Sequence, residues 1–208
     1  MNIEKPEYLD YLKTLSDVSG ITVNSFASLM DALRNRMEFF ASMGCCVSDH
    51  ALEYVMYKPY TTEEIEKIFA KRFAGETITV DEMNKFKTAF MVSVGKEYNK
   101  LNWVMQLHYG TIRDNNTLRY NQLGPDTGYD CINNYAPSAQ MADFLNALIV
   151  SDELPRTVIY SLNPNDNQAI GTILGCFQDS TAVAKIQQGS AWWFNDHKTG
   201  MQDQMISL

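Results

Sequence analysis

The chain contains no CxxC pair, no P-loop, no GxGxxG or GxSxG, and no HxH or HExxH. Each absence removes a class of chemistry. Without phosphate-cradling glycine loops a nucleotide-binding reading has no support, and without GxSxG neither has acyl transfer. Without paired histidines or cysteines, the chain supplies at most part of a zinc ligand set. Cysteine is scarce: Cys45, Cys46, Cys131 and Cys176 show no disulfide spacing, and the adjacent pair is poorly placed for a bridge. A reducing, cytoplasmic setting is the expectation. No apolar run is long enough to span a bilayer, so no membrane partner is expected, and the opening MNIEKPEYLDYLK does not read as a signal peptide. Positive charge is short as well. The 17 Lys and Arg face 25 Asp and Glu, for a net charge of -8, and the cations are scattered, which excludes a nucleic-acid partner. An anionic ligand would have to be held locally by one or two cations.

What is present reads as a globular α/β chain. With 208 residues, 45% hydrophobic and 20% charged, one domain spanning 1–208 is the expectation. Residues 1–44 read as leading helices: one over 3–15 carries Tyr8, Leu9, Leu12 and Leu15. A second, capped by Ser25, carries Phe26, Leu29, Met30, Leu33, Met37 and Phe40. Residues 45–208 read as four strand–helix units. The strand-like runs are CCVSDH (45–50, read as buried), WVMQLHYG (103–110), TVIYSLN (157–163) and the stretch 184–194. Capping-box patterns at Thr61–Glu64 and Thr79–Glu82 start two intervening helices, and further helices are expected over 138–150 and 166–177. Strands separated by helical crossovers imply a parallel sheet with right-handed connections.

Each of the four runs ends in polar residues of catalytic type. They are Ser48-Asp49-His50; His108 followed by Arg113, Asp114, Asn115 and Asn116; Asn163-Pro164-Asn165-Asp166-Asn167; and Asn195-Asp196-His197-Lys198. Ligand chemistry in parallel α/β folds gathers just beyond the carboxyl ends of strands. Asp166 and Asn167 are read as helix N-caps. His50 and His108 fall at equivalent strand ends, which marks them as candidates. Trp192 and Trp193 fall in the fourth run, and because alternate strand residues face opposite sides, only one of them can face the barrel interior.

The motifs MGCCVSDHAL, LHYGTIRDNN, LGPDTGYD, YSLNPNDN and GSAWWFNDHKTGM, in this order, resemble those of the uronate isomerases (glucuronate isomerase) of the amidohydrolase superfamily. The resemblance implies a partial (β/α)8 TIM-type barrel, with this chain as its C-terminal half, strands five to eight. It implies the aldose–ketose isomerisation of D-glucuronate to D-fructuronate and of D-galacturonate to D-tagaturonate, on a small-molecule hexuronate. It assigns Asp196 to metal ligation and proton transfer, His50 and His108 to catalysis, Arg113 to the substrate carboxylate, and Trp192 and Trp193 to the substrate wall. A planar guanidinium suits a carboxylate by forming two parallel hydrogen bonds. Asp114 stands where the family pattern has asparagine. The cofactor implied is a divalent metal, zinc, bound weakly or not at all by these residues alone, because the strand-one HxH is absent. This chain alone is expected to be inactive. The alternatives are a catalytically dead half-barrel serving as a binding or assembly module, and a different hydrolase of the superfamily. Uncovered strand edges make a homo-oligomer, most simply a two-fold dimer, the expected state.

Overall fold

The computed structural model describes residues 1–135 and 138–207. They fall into two compact units. A helical unit comprises Met1–Cys46, Met56–Trp103 and Asp143–Pro155; a sheet unit comprises Val47–Val55, Val104–Ala142 and the chain from Arg156 on.

The helices start where local chemistry starts them. Helix α1 (Tyr8–Ser19) begins after Pro6 rather than at residue 3, since a proline disfavours helix in the residue before it. Helix α2 (Phe26–Ser42) is capped by Ser25, whose side chain accepts from the Ser28 N–H while Ser28 accepts from the Ser25 N–H. The Glu66 carboxylate takes two further donors of that first turn, the N–H groups of Phe26 and Ala27, at 2.9 and 3.1 Å. Helices α3 (Thr62–Phe73) and α4 (Val80–Lys100) both carry the Thr-x-x-Glu box read from the sequence. Their apolar faces meet at Phe86, fully buried, with Phe26 and Tyr8 edge-on at 5.7 and 6.0 Å and Phe69 stacked at 6.2 Å.

In the sheet unit, β1 (Val47–Ala51), β2 (Val104–Tyr109), β5 (Thr157–Ser161) and β6 (Ile186–Gln188) form one parallel sheet in chain order. That is the order of consecutive strands in a (β/α)8 barrel, and this chain makes part of one. A short antiparallel pair, β3 (Thr111–Ile112) and β4 (Cys131–Ile132), follows β2. Between them lies α5 (Thr117–Leu123), capped by Asn116 and without a buried residue. Helices α6 (Ser138–Ile149), α7 (Asn167–Cys176) and α8 (Lys198–Ser207) complete the chain.

Burial alternates along β2 and β5 with period two. Met105, Leu107, Tyr109, Thr157, Ile159, Ser161, Ile186 and Gln188 are buried, while Gln106, His108, Val158 and Tyr160 are half-buried and Gln187 is exposed. Strand β1 departs from its expected character: it is alternately exposed and half-buried, not buried, and it starts after the two cysteines.

The fourth strand is much shorter than the expected 184–194. The last ladder bond runs from the Gly189 N–H to the Ile159 carbonyl at 2.8 Å. Trp192 and Trp193 then take positive φ values of 61° and 43°, and Trp193–Asn195 forms a 3-10 turn. Strand alternation therefore does not apply to the two tryptophans. Two contacts end the strand here. The Tyr160 ring lies over Gly189 so closely that a Cβ there would sit 2.1 Å from it. The buried Asn195 carboxamide donates to the carbonyls of Leu162 and Ala191 at 2.9 and 3.4 Å, drawing the chain back.

Gly189→Ala is expected to lower stability by about 1–3 kcal/mol through overpacking against Tyr160. Urea unfolding followed by tryptophan fluorescence checks it, and the loss should shrink when Tyr160 is also replaced by alanine.

Burial lowers the His50 imidazole pKa from 6.5 to about 4, against the opposing charge of Asp49. The folded chain then binds fewer protons than the unfolded one between those values. The stabilisation from a neutral His50 is complete above pH 6.5 and is lost as pH falls toward 4. Urea midpoints measured across that window should fall with pH, and His50→Gln should flatten the slope.

Candidate active site

The sheet unit gathers its chemistry on one face, at the carboxyl ends of β1, β2 and β5. In the register, Asp49 is opposite Gln106, Ala51 opposite His108, and His108 opposite Tyr160. Residues in step on neighbouring strands share a face, so Asp49, His108 and Tyr160 lie together. The His108 Nδ1 is 2.6 Å from the Asp49 carboxylate. A carboxylate only accepts, so Nδ1 carries the proton, and a neutral His108 keeps its lone pair on Nε2. The ring is fixed on two more sides: Tyr160 stacks on it at 4.0 Å, and Trp192 meets it edge-on at 4.5 Å. Burial, with the Asp49 charge second, raises the Tyr160 pKa, so its phenol stays protonated at neutral pH.

His50 does not join this group. It is in register with Leu107, one residue out of step with His108, and therefore belongs to the opposite face. Two histidines at apparently equivalent strand ends are thus separated by the period of the strand.

A second cluster lies beyond β2. Arg113 Nη1 donates to Asp126 at 3.0 Å and to Asp130 at 3.2 Å. Its guanidinium sits 5.6 Å from the centroid of the Trp193 ring. Trp193 and Trp192 are 6.1 Å apart, so an aromatic path joins Arg113 to His108. Asp130 also accepts the Asp114 N–H at 2.7 Å. Asp114 has φ of 54°, a left-handed conformation that aspartate tolerates better than most residues.

Several polar strand-end residues serve the scaffold. Asp166, read as an N-cap, makes no capping bond with its side chain. One of its oxygens instead accepts the hydroxyls of Tyr109 and Ser161, both at 3.0 Å. Asn167, the other expected cap, bonds Gln204 and Gln188. His197 accepts the Gly200 N–H at the start of α8. These pairings set the loops and leave little of YSLNPNDN free for a ligand.

Asp196 is exposed, just after the turn that holds the tryptophans. It is the one candidate donor for the implied divalent metal. Among the described residues, no three His, Cys, Asp or Glu side chains converge where an ion could be held. The residues present therefore do not make a metal site, and no chemical step is drawn through one. Also among the described residues, no helix is long and apolar enough to cross a membrane.

The chain is 80% identical over its full length to the uronate isomerase of Lachnospira eligens and 73% identical to that of Lachnoclostridium phytofermentans. It covers 44% and 45% of those proteins, so it spans under half the length of the relatives it matches. Among solved structures, the uronate isomerase of Thermotoga maritima superposes with a TM-score of 0.89 at 31% identity, over 99% of this chain and 44% of that one. The glucuronate isomerase of Caulobacter crescentus gives 0.82 at 22% identity, over 99% of this chain and 42% of that one, which supports the fold alone. With the glucuronate isomerase model matched from residue 1 to residue 208, this chain belongs to the glucuronate isomerase family.

Proposed function

We propose that the chain supplies the C-terminal, proton-transferring portion of a cytoplasmic uronate isomerase. The whole enzyme interconverts D-glucuronate with D-fructuronate and D-galacturonate with D-tagaturonate, and this chain alone does not turn over. The single observation that carries the reading is the Asp49–His108 pair. Aldose–ketose isomerisation needs a base that takes the proton from C2, next to the aldehyde, and returns it to C1 of the enediol. His108 Nε2 is suited to that task. Asp49 keeps the other nitrogen protonated and stabilises the imidazolium formed midway. The Tyr160 stack and the Trp192 edge hold the ring in place. Arg113 would anchor the carboxylate at the far end of the sugar and Trp193 would form its wall. The divalent ion expected in the whole enzyme, zinc, would draw donors from outside these residues together with Asp196.

A binding or assembly module is the second reading, favoured by the absence of a convergent metal-donor group among the described residues. Self-association fits either reading. Strand β1 pairs on one side with β2, β6 pairs on one side with β5, and Val47 is 40% exposed at that edge. Light scattering at micromolar concentration should return a dimer mass; a monomer would refute the association.

The functional test replaces the matching segment of the Lachnospira eligens enzyme with this chain. The chimera should isomerise D-glucuronate. His108→Asn in it should lower kcat by roughly 10²- to 10⁴-fold, the usual contribution of a general base. A kcat within threefold of the unsubstituted chimera would refute His108 as that base. An inactive, folded chimera would favour the module reading.

A further inference from the structure

We propose that Asp126 is a specificity-determining gate on Arg113: its carboxylate occupies the guanidinium position that a uronate carboxylate would take, and it weakens the affinity for the acid. This rests on Arg113 being the substrate's cation. The two carboxylates on Arg113 reach the same nitrogen but are built differently. Asp130 is permanent: its side chain is 4% exposed, and its second oxygen holds the Asp114 N–H at 2.7 Å. Asp126 is replaceable. Its side chain is 76% exposed, and exposed ion pairs of this kind contribute little.

The backbone aims Asp126 at the cation. It has φ of 58° and lies between Gly124 and Gly128, which have φ of 84° and 93°. The Thr127 hydroxyl bonds the Gly124 carbonyl at 3.1 Å, closing the turn. The Asn115 N–H bonds the Tyr129 carbonyl at 2.9 Å, tying the end of this loop to the segment after β3 that carries Arg113.

The charge count supports the gate. Asp130 alone neutralises Arg113, and with Asp126 added the cluster carries one net negative charge. An incoming hexuronate, itself an anion, meets that surplus negative charge, and of the two carboxylates on Nη1 Asp126 is the one that solvent already reaches and a ligand can displace. A neutral sugar gains nothing from that exchange. Asp126 thus acts as a resting counter-ion that only another carboxylate can replace.

The test titrates the 208-residue chain with D-glucuronate and with the neutral D-glucuronamide. Binding is followed by calorimetry and by tryptophan fluorescence, since Trp193 lies under the Arg113 guanidinium. Asp126→Asn should bind D-glucuronate about five-fold tighter, the scale of one surface unit charge at ion-pair distance. Its affinity for the amide should be unchanged, and Asp126→Glu should restore the original affinity. Arg113→Lys should abolish the gain, because a lysine cannot offer two parallel hydrogen bonds. Circular dichroism controls for folding, with Asp126→Ser as a second variant. Unchanged or weaker D-glucuronate binding in Asp126→Asn, or an equal gain for the amide, would overturn the gate while leaving Arg113 as the anchor. Undiminished D-glucuronate binding in Arg113→Lys, or no saturable binding by any variant, would overturn the assignment of Arg113 itself.

Discussion

The candidate site depends on the register of four parallel strands. Because residues in step share a face, placing Ala51 opposite His108 and His108 opposite Tyr160 brings Asp49, His108 and Tyr160 together and sends His50 to the other side. A slip of one residue between β1 and β2 would separate Asp49 from His108 and leave the imidazole without its orienting carboxylate. Tyr160 then links the site to the end of the sheet. Its ring supports His108 on one side and covers Gly189 on the other, so the contact that positions the imidazole also helps end β6. The geometry of the candidate site and strand termination share one side chain.

The loops beyond the strands are fixed from the opposite face by buried polar pairs. Asp166 collects two hydroxyls, Asn195 holds the carbonyls of Leu162 and Ala191, and Asn167 links Gln188 to Gln204. Buried polar groups that are hydrogen-bonded in this way specify one arrangement of the loops. Trp192 and Trp193 can hold left-handed conformations, which are disfavoured for bulky residues, because Asn195 secures the turn behind them.

Helix starts were legible in the sequence wherever their chemistry is local. Ser25, Thr61 and Thr79 cap their helices through partners three residues away, within reach of any sequence reading. The strand character of β2 and β5 was equally visible. The length of β6 was not, because it is set by Tyr160, which lies on a different strand. Helix α5 has no buried face and gives no periodic signal. The site was only partly legible for the same reason. His108 and Arg113 could be named from their motifs, but Asp49 is 59 positions from its partner His108, and the pairing exists only once β1 and β2 are in register. Likewise LGPDTGYD reads as a turn-rich loop, and its two aspartates acquire meaning only when the loop folds back on Arg113.

Under the proposed function, an acidic chain that recognises an acid would face a particular electrostatic constraint. With a net charge of -8, the long-range field repels a hexuronate, so attraction must come from a cation at short range. A bare arginine would meet that need but would also attract any small anion in the cell. Surrounding Arg113 with one buried and one exposed carboxylate changes the contest. The buried Asp130 fixes the guanidinium plane, and the exposed Asp126 sets a threshold that a ligand must exceed by adding contacts elsewhere. In the proposed complex a hexuronate would offer those contacts along its sugar ring, toward Trp193, Trp192 and His108; a small carboxylate would not. So arranged, the proposed gate would give up absolute affinity and gain selectivity, the same trade made wherever a site is built to reject competitors as well as to hold its ligand.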